Sequence, residues 1–202
     1  RVEELLSSGE ARVCVLGHLI HNRLYNESLE RRGVRHITMV EAPAVAAESD
    51  KGTPTVILIR THGIPLADRL ALDALAAAHP HLRVEDMTCP FVQKIHRIAD
   101  AETGEGTVFF LLGTASHPEV EGILSHVRGE KYVFETAAEL EDLLKQVNIG
   151  EKTPIFAAQT TQNLAEWKKT QKFIENLYTN AKKFDTICSV TETRQQEALS
   201  LA

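Results

Sequence analysis

Two cysteines occupy matching contexts. Cys89 lies in Asp86-Met87-Thr88-Cys89-Pro90, and Cys188 lies in Asp185-Thr186-Ile187-Cys188, 99 residues further on. Pro90 suits the first position of a helix. Cys89 then sits at a helix N-terminus, where the macrodipole favours a thiolate. Cys188 directly precedes Ser189 and Glu192, a capping-box pair. Thiolates at two equivalent strand-to-helix junctions suit metal or cluster ligands, or redox partners. The alternative is two small apolar side chains in a core. Cys14, inside the apolar run 13–17, reads as core packing.

Three histidines, His21, His62 and His117, each follow an apolar run and adjoin Asn22, Gly63 and Pro118. Imidazolium groups at strand ends beside helix N-termini would bind an anion such as phosphate; singly, each reads more readily as a satisfied loop histidine, and three at matched positions reverse that preference. Gly63 and Pro65 supply the turn after His62. Glu119 follows His117-Pro118 at an expected helix start, as a proton donor or relay or as a first-turn glutamate favourable to the helix dipole. Thr160 and Thr161 close an apolar strand and offer hydroxyls to a substrate oxygen, or a cap to the next helix. His18, His36, His79, His81, His96 and His126 have no matched partners.

These residues must be positioned by alternating elements. β-branched runs predict strands at 13–17, 36–40, 55–60, 82–85, 107–113, 131–134, 154–159 and 184–187. Apolar residues at helical spacing predict helices at 1–7, 24–32, 66–78, 91–103, 119–127, 137–147, 164–178 and 190–201. Strands alternating with helices mean a parallel α/β fold. The pattern also repeats. Leu16-Gly17 with His21 matches Leu112-Gly113 with His117, 96 residues on. The run 55–62 aligns with 154–161, and Asp86…Cys89 with Asp185…Cys188, both at an offset of 99. Each copy offers strand ends bearing a histidine, a threonine and a cysteine. Open α/β sheets bind ligands beyond the carboxyl ends of their strands.

Composition narrows the class. The 202 residues are 43% hydrophobic and 25% charged, ordinary globular values. The net charge of −6 argues against nucleic acid and anionic membranes as partners. No stretch approaches the ~18 apolar residues of a membrane span. The first residues carry no apolar leader core. Three cysteines far apart form no disulfide framework and point to a reducing cytoplasm.

The segments LGHLIHN (16–22), RTHGIP (60–65), DMTCPFVQKIH (86–96), GTASHPEVEG (113–122), AAQTT (157–161) with Trp167, and TICSVTETRQQEA (186–198) closely resemble the LytB/IspH family, the (E)-4-hydroxy-3-methylbut-2-enyl diphosphate reductases of isoprenoid biosynthesis. The resemblance covers nearly the whole chain in the family's order. It implies repeated parallel-sheet α/β domains in a pseudo-threefold, three-domain architecture. Two domains are expected here, 1–89 and 90–184, with 185–202 the start of a truncated third.

The resemblance further implies a central [4Fe–4S] cluster held by one cysteine per domain, with Cys89 and Cys188 matching two of them. His21, His62 and His117 match the histidines around the substrate diphosphate, Glu119 the acid of the proton relay, and Thr160 the hydroxyl that assists it. The implied reaction is reductive loss of a hydroxyl, with electrons from a ferredoxin- or flavodoxin-type donor. Two departures stand out: the family's Gly-Phe-Cys motif and its Ser-x-Asn diphosphate contacts are absent from these residues. The expectation is a piece of a longer enzyme that alone holds a cluster poorly and turns over little. The rivals are a zinc hydrolase using Cys89, Cys188 and a histidine, whose spacing lacks the short intervals of zinc sites, and a non-catalytic phosphate-binding or interaction module.

Overall fold

A computed structural model describes residues 1–201 of the chain. The chain divides into two compact units, Arg1–Cys89 and Pro90–Ala202. The first contains α1 (Val2–Ser8), β1 (Arg12–Leu16), α2 (Arg23–Arg31), β2 (Arg35–Ile37), α3 (Ala42–Ser49), β3 (Thr55–Ile59), α4 (Leu66–Ala78) and β4 (Leu82–Asp86). The second contains α5 (Pro90–Glu102), β5 (Thr107–Leu112), α6 (Pro118–His126), β6 (Glu130–Phe134), α7 (Ala137–Gln146), β7 (Thr153–Ala158), α8 (Leu164–Leu177), β8 (Lys182–Lys183) and α9 (Ser189–Leu201).

Each unit holds one four-stranded parallel sheet, ordered β2-β1-β3-β4 and β6-β5-β7-β8. The shared order is what a duplicated unit requires. The central strands explain themselves physically. Thr55–Ile59 is buried at every position, as are Val108–Leu112 and Pro154–Ala158. Helices cover both faces of these sheets, so their strands read as continuous apolar runs. In the first unit one face packs Ile57 and Ile59 against Val45, Leu72 and Leu82, and the other packs Val56 and Leu58 against Val2, Leu5 and Leu29. In the second, Phe110, Phe156 and Trp167 fill one face and Phe109, Ile123 and Ile155 the other. Each fully buried Leu, Ile or Phe contributes roughly 1.5–3 kcal/mol relative to exposure. Cys14 is fully buried in the first core, as its apolar run predicts.

Three elements depart from the sequence reading. The strand expected at 36–40 ends at Ile37, because the Thr38 N–H and hydroxyl both donate to the Glu41 carboxylate, at 2.8 and 2.9 Å, and turn the chain. That turn leads into α3, which the sequence reading lacks: its segment Ala-Pro-Ala-Val-Ala-Ala-Glu-Ser has no amphipathic stripe and no side-chain cap. The strand expected at 184–187 is replaced by the two residues of β8. The Thr186 hydroxyl donates to Ala158 O at 2.6 Å and accepts from Ala158 N at 2.8 Å, taking the place of backbone pairing. Ser189 lies inside α9 and Cys188 O accepts the bond from Glu192 N, so Cys188 holds the cap position expected of Ser189.

Candidate functional site

In a 2-1-3-4 sheet the chain winds outward in opposite directions from its two central strands. The crevice at their carboxyl ends is the topological switch point, where open α/β sheets take ligands. In the first unit this lies past Leu16 and Ile59, and in the second past Leu112 and Ala158.

The first unit brings its three strand-end loops together by hydrogen bonds. Thr61 N and Thr61 Oγ1 both donate to Leu19 O, at 3.0 Å each. Cys89 N donates in turn to Thr61 O at 2.9 Å. Asn22 caps α2 through its side-chain oxygen, which accepts from Tyr25 N at 3.0 Å. His21 therefore stands just before that helix. His62 sits in the turn closed by Gly63 N on Arg60 O, which Gly63 makes with a φ of 74°. The His21 and His62 rings lie with centroids 3.9 Å apart and planes 30° apart.

The second unit repeats the line of bonds with one decisive change. Thr160, the counterpart of Thr61, donates from N and Oγ1 to the Glu119 carboxylate, at 2.7 and 2.8 Å, where Thr61 meets a backbone carbonyl. Cys188 N donates to Thr160 O at 2.9 Å, as Cys89 N does to Thr61 O. Glu119 is in the first turn of α6 and only 1% exposed. Burial pushes its carboxyl above the ordinary glutamate range, against the two Thr160 bonds that favour the charged form. His117 caps the same helix: its Nδ1 accepts from Glu119 N at 3.1 Å. With Nδ1 accepting, a neutral His117 carries its proton on Nε2.

Cys89 and Cys188 are free and half-buried, and each immediately precedes or caps a helix, α5 and α9. As soft thiol donors held by a fixed backbone N–H, they fit iron–sulfur ligation. Among the described residues, no three His, Cys, Asp or Glu side chains are grouped to hold a single metal ion. Thr161 is exposed, and its hydroxyl accepts from Gln159 Nε2 at 3.3 Å. His36, His79 and His126 face local partners instead: Gly17 O at 2.6 Å, the Asp50 carboxylate at 2.6 Å and the Asp100 carboxylate at 3.0 Å.

The class is a duplicated parallel α/β protein with a buried acid and histidines past its strand ends. The LytB protein family matches residues 1–202, and the chain belongs to that family. A relative from Desulfovibrio desulfuricans, named 4-hydroxy-3-methylbut-2-enyl diphosphate reductase, is 34% identical across 97% of this chain and 63% of its own length. A relative of the same name from Aquifex aeolicus is 33% identical across 99% of this chain and 64% of its own length. The chain thus spans less than two thirds of the length of these relatives. A solved structure of (E)-4-hydroxy-3-methyl-but-2-enyl diphosphate reductase, 30% identical, superposes with a TM-score of 0.72 over 99% of this chain and 66% of that one. The reductase structure from Plasmodium falciparum, 22% identical, shares the fold with a TM-score of 0.77 over 96% of this chain and 57% of its own. Among the described residues, no helix is long and apolar enough to cross a membrane.

Proposed function

We propose that this chain is part of a reductase that removes the hydroxyl group of (E)-4-hydroxy-3-methylbut-2-enyl diphosphate, giving isopentenyl and dimethylallyl diphosphate. The observation that carries this reading is the buried Glu119 carboxylate on the N–H and hydroxyl of Thr160, in a chain of the LytB family. The reaction takes up two electrons and two protons and releases water.

Glu119 serves as proton donor. A carboxyl raised by burial keeps its proton nearer neutral pH, which is what a general acid needs. Thr160 assists by holding that carboxyl in one orientation and offering its hydroxyl oxygen to the transferred proton. His21, His62 and His117 bind the substrate diphosphate through ring N–H donors. Cys89 and Cys188 act as thiolate ligands of a [4Fe–4S] cluster, which when bound supplies electrons and a Lewis-acidic iron. A ferredoxin- or flavodoxin-type protein delivers the electrons, in the cytoplasm. Residues 185–202 open a third α/β unit in this reading, and Ala202 lies outside the described residues.

The test is turnover, in a version of the protein extended to the span of its relatives. With dithionite-reduced viologen and substrate, product formation is expected, and Glu119→Gln is expected to lose it while still binding substrate. Full turnover in Glu119→Gln contradicts the role of the acid. Absence of any turnover in the reconstituted, extended wild type contradicts the reductase reading.

A further inference from the structure

The two units share one more device. The residue directly after the third strand of each unit is long and polar: Arg60 after β3 and Gln159 after β7. The residue directly after the first strand of each is glycine: Gly17 after β1 and Gly113 after β5. In both units the long side chain lies over the glycine. A Cβ placed on Gly17 would meet Arg60 Nη1 at 3.2 Å. A Cβ on Gly113 would meet Val120 Cγ2 of α6 at 2.9 Å, then Gln159 Oε1 at 3.2 Å and Gln159 Cβ at 3.3 Å. Gly17 is also held in the left-handed region, at a φ of 72°, and Gly113 is closed in by Val120 as well, so each glycine lets its partner lie close against the backbone.

What each side chain then grips differs. Arg60 Nε donates to Gly63 O at 3.1 Å and clasps the turn that carries His62. Arg60 also lines a cavity of about 200 Å³ with Gly17, Thr38 and Asp68. No carboxylate pairs with it at ion-pair distance among the described residues. Gln159 is 4% exposed. Its Oε1 accepts from Thr114 N at 3.1 Å, at the head of the loop that leads to His117 and Glu119. Gln159 also precedes Thr160, whose N–H and hydroxyl hold the Glu119 carboxylate. The amide therefore stitches the loop bearing the acid to the strand end bearing its partner.

We propose that Arg60 and Gln159 are matched positioning residues, each latched across the facing glycine to fix the loop that carries His62 in one unit and the Glu119–Thr160 pair in the other. The proposal rests on the reading of those three residues as site residues. Neither latch touches the reacting groups, so each acts through the loop it holds. A buried amide bonded to a loop N–H restricts that loop at small entropic cost, because glutamine is already immobilised by packing.

The test is nuclear magnetic resonance on the 202-residue chain, which needs neither cluster nor turnover. In Gln159→Leu, the Thr114 amide is expected to exchange about tenfold faster, the loss of one hydrogen bond. The Phe110 amide, in the core of β5, stays within about twofold. The Thr160 amide proton, which donates to Glu119 Oε1 at 2.7 Å, is expected to follow Glu119 protonation in the wild type and to stop doing so in the variant. Gln159→Glu keeps an acceptor for Thr114 N and restores its protection. In Arg60→Met the ring contacts between His21 and His62 are lost, and Arg60→Lys, which keeps a donor, retains them. Unchanged Thr114 exchange and Thr160 titration in Gln159→Leu overturns the proposal. So does equal acceleration at Phe110, which marks a purely structural role. The same samples are also titrated with inorganic pyrophosphate. The exchange and titration results decide the latch whether or not pyrophosphate binds, and the substrate reading is decided by turnover of the extended protein.

Discussion

Thr160→Val isolates the bond between the Thr160 hydroxyl and Glu119. Valine has nearly the volume of threonine, so no cavity opens, and the backbone N–H bond to Glu119 Oε1 at 2.7 Å remains. What disappears is the 2.8 Å bond from Oγ1 to Oε2, on a carboxylate 1% exposed. A hydrogen bond to a charged group contributes about 1.5–3 kcal/mol, and one between neutral groups about 0.5–1.5 kcal/mol. The loss is therefore larger where Glu119 is ionised. Trp167 is the single tryptophan and is 2% exposed within the second unit, its Nε1 donating to Asp185 Oδ1 at 2.8 Å. Its fluorescence during urea unfolding reports that unit. With m near 2 kcal/mol/M, a loss of about 2 kcal/mol lowers the midpoint by about 1 M. The expected result is a drop of about 1 M at pH 9 and about half that at pH 4, each against wild type at the same pH. Equal drops at the two pH values, or none, would refute the assignment of this bond to a titrating, buried acid.

Glu119→Gln carries the sign of the same effect. Burial raises the folded carboxyl above its unfolded value. The stability it contributes is full below the ordinary glutamate pKa and falls as pH rises through the raised folded value. The glutamine variant removes that fall, so its stability relative to wild type improves with rising pH; a constant difference speaks against it. Thr186→Val leaves Ala158 N and Ala158 O without their hydroxyl partner, and a loss of about 2–4 kcal/mol is expected from urea unfolding. Cys14 is fully buried and its thiol is pushed up by desolvation, whereas Cys89 and Cys188 are half-buried. Iodoacetamide followed by peptide mapping should label the latter two first, and early labelling of Cys14 contradicts its place in the core.

The fold was legible where burial writes itself into the residue types. The runs ending at Ile59, Leu112 and Ala158 are apolar throughout because helices cover both faces of each sheet. The repeat was legible because it left Leu-Gly, Thr and Cys at near-constant offsets. The α3 helix was not, since its stability comes from packing Ala42, Val45 and Ala46 into the core and not from a periodic stripe. The stop of β2 depends on a Thr38–Glu41 bond, and the brevity of β8 on the Thr186 hydroxyl. A sequence names these residues without saying which partner they choose.

The candidate site divides in the same way. Residue types and spacing single out His21, His62, His117, Glu119, Thr160, Cys89 and Cys188. The contrast between Thr61 on a carbonyl and Thr160 on a carboxylate emerges only from the two strand registers. The places of Arg60 and Gln159 over their glycines also require those registers. The one available signal was their position: both directly precede the matched threonines, at the same offset of 99 as the cysteines.

The cluster assignment is tested most directly by iron and sulfide analysis with a visible spectrum after anaerobic reconstitution, on a version of the protein extended to the span of its relatives. The account predicts a brown protein with iron and sulfide in equal amounts, and loss of both in Cys89→Ser and in Cys188→Ser. A colourless wild type, or iron retained in either serine variant, would contradict it.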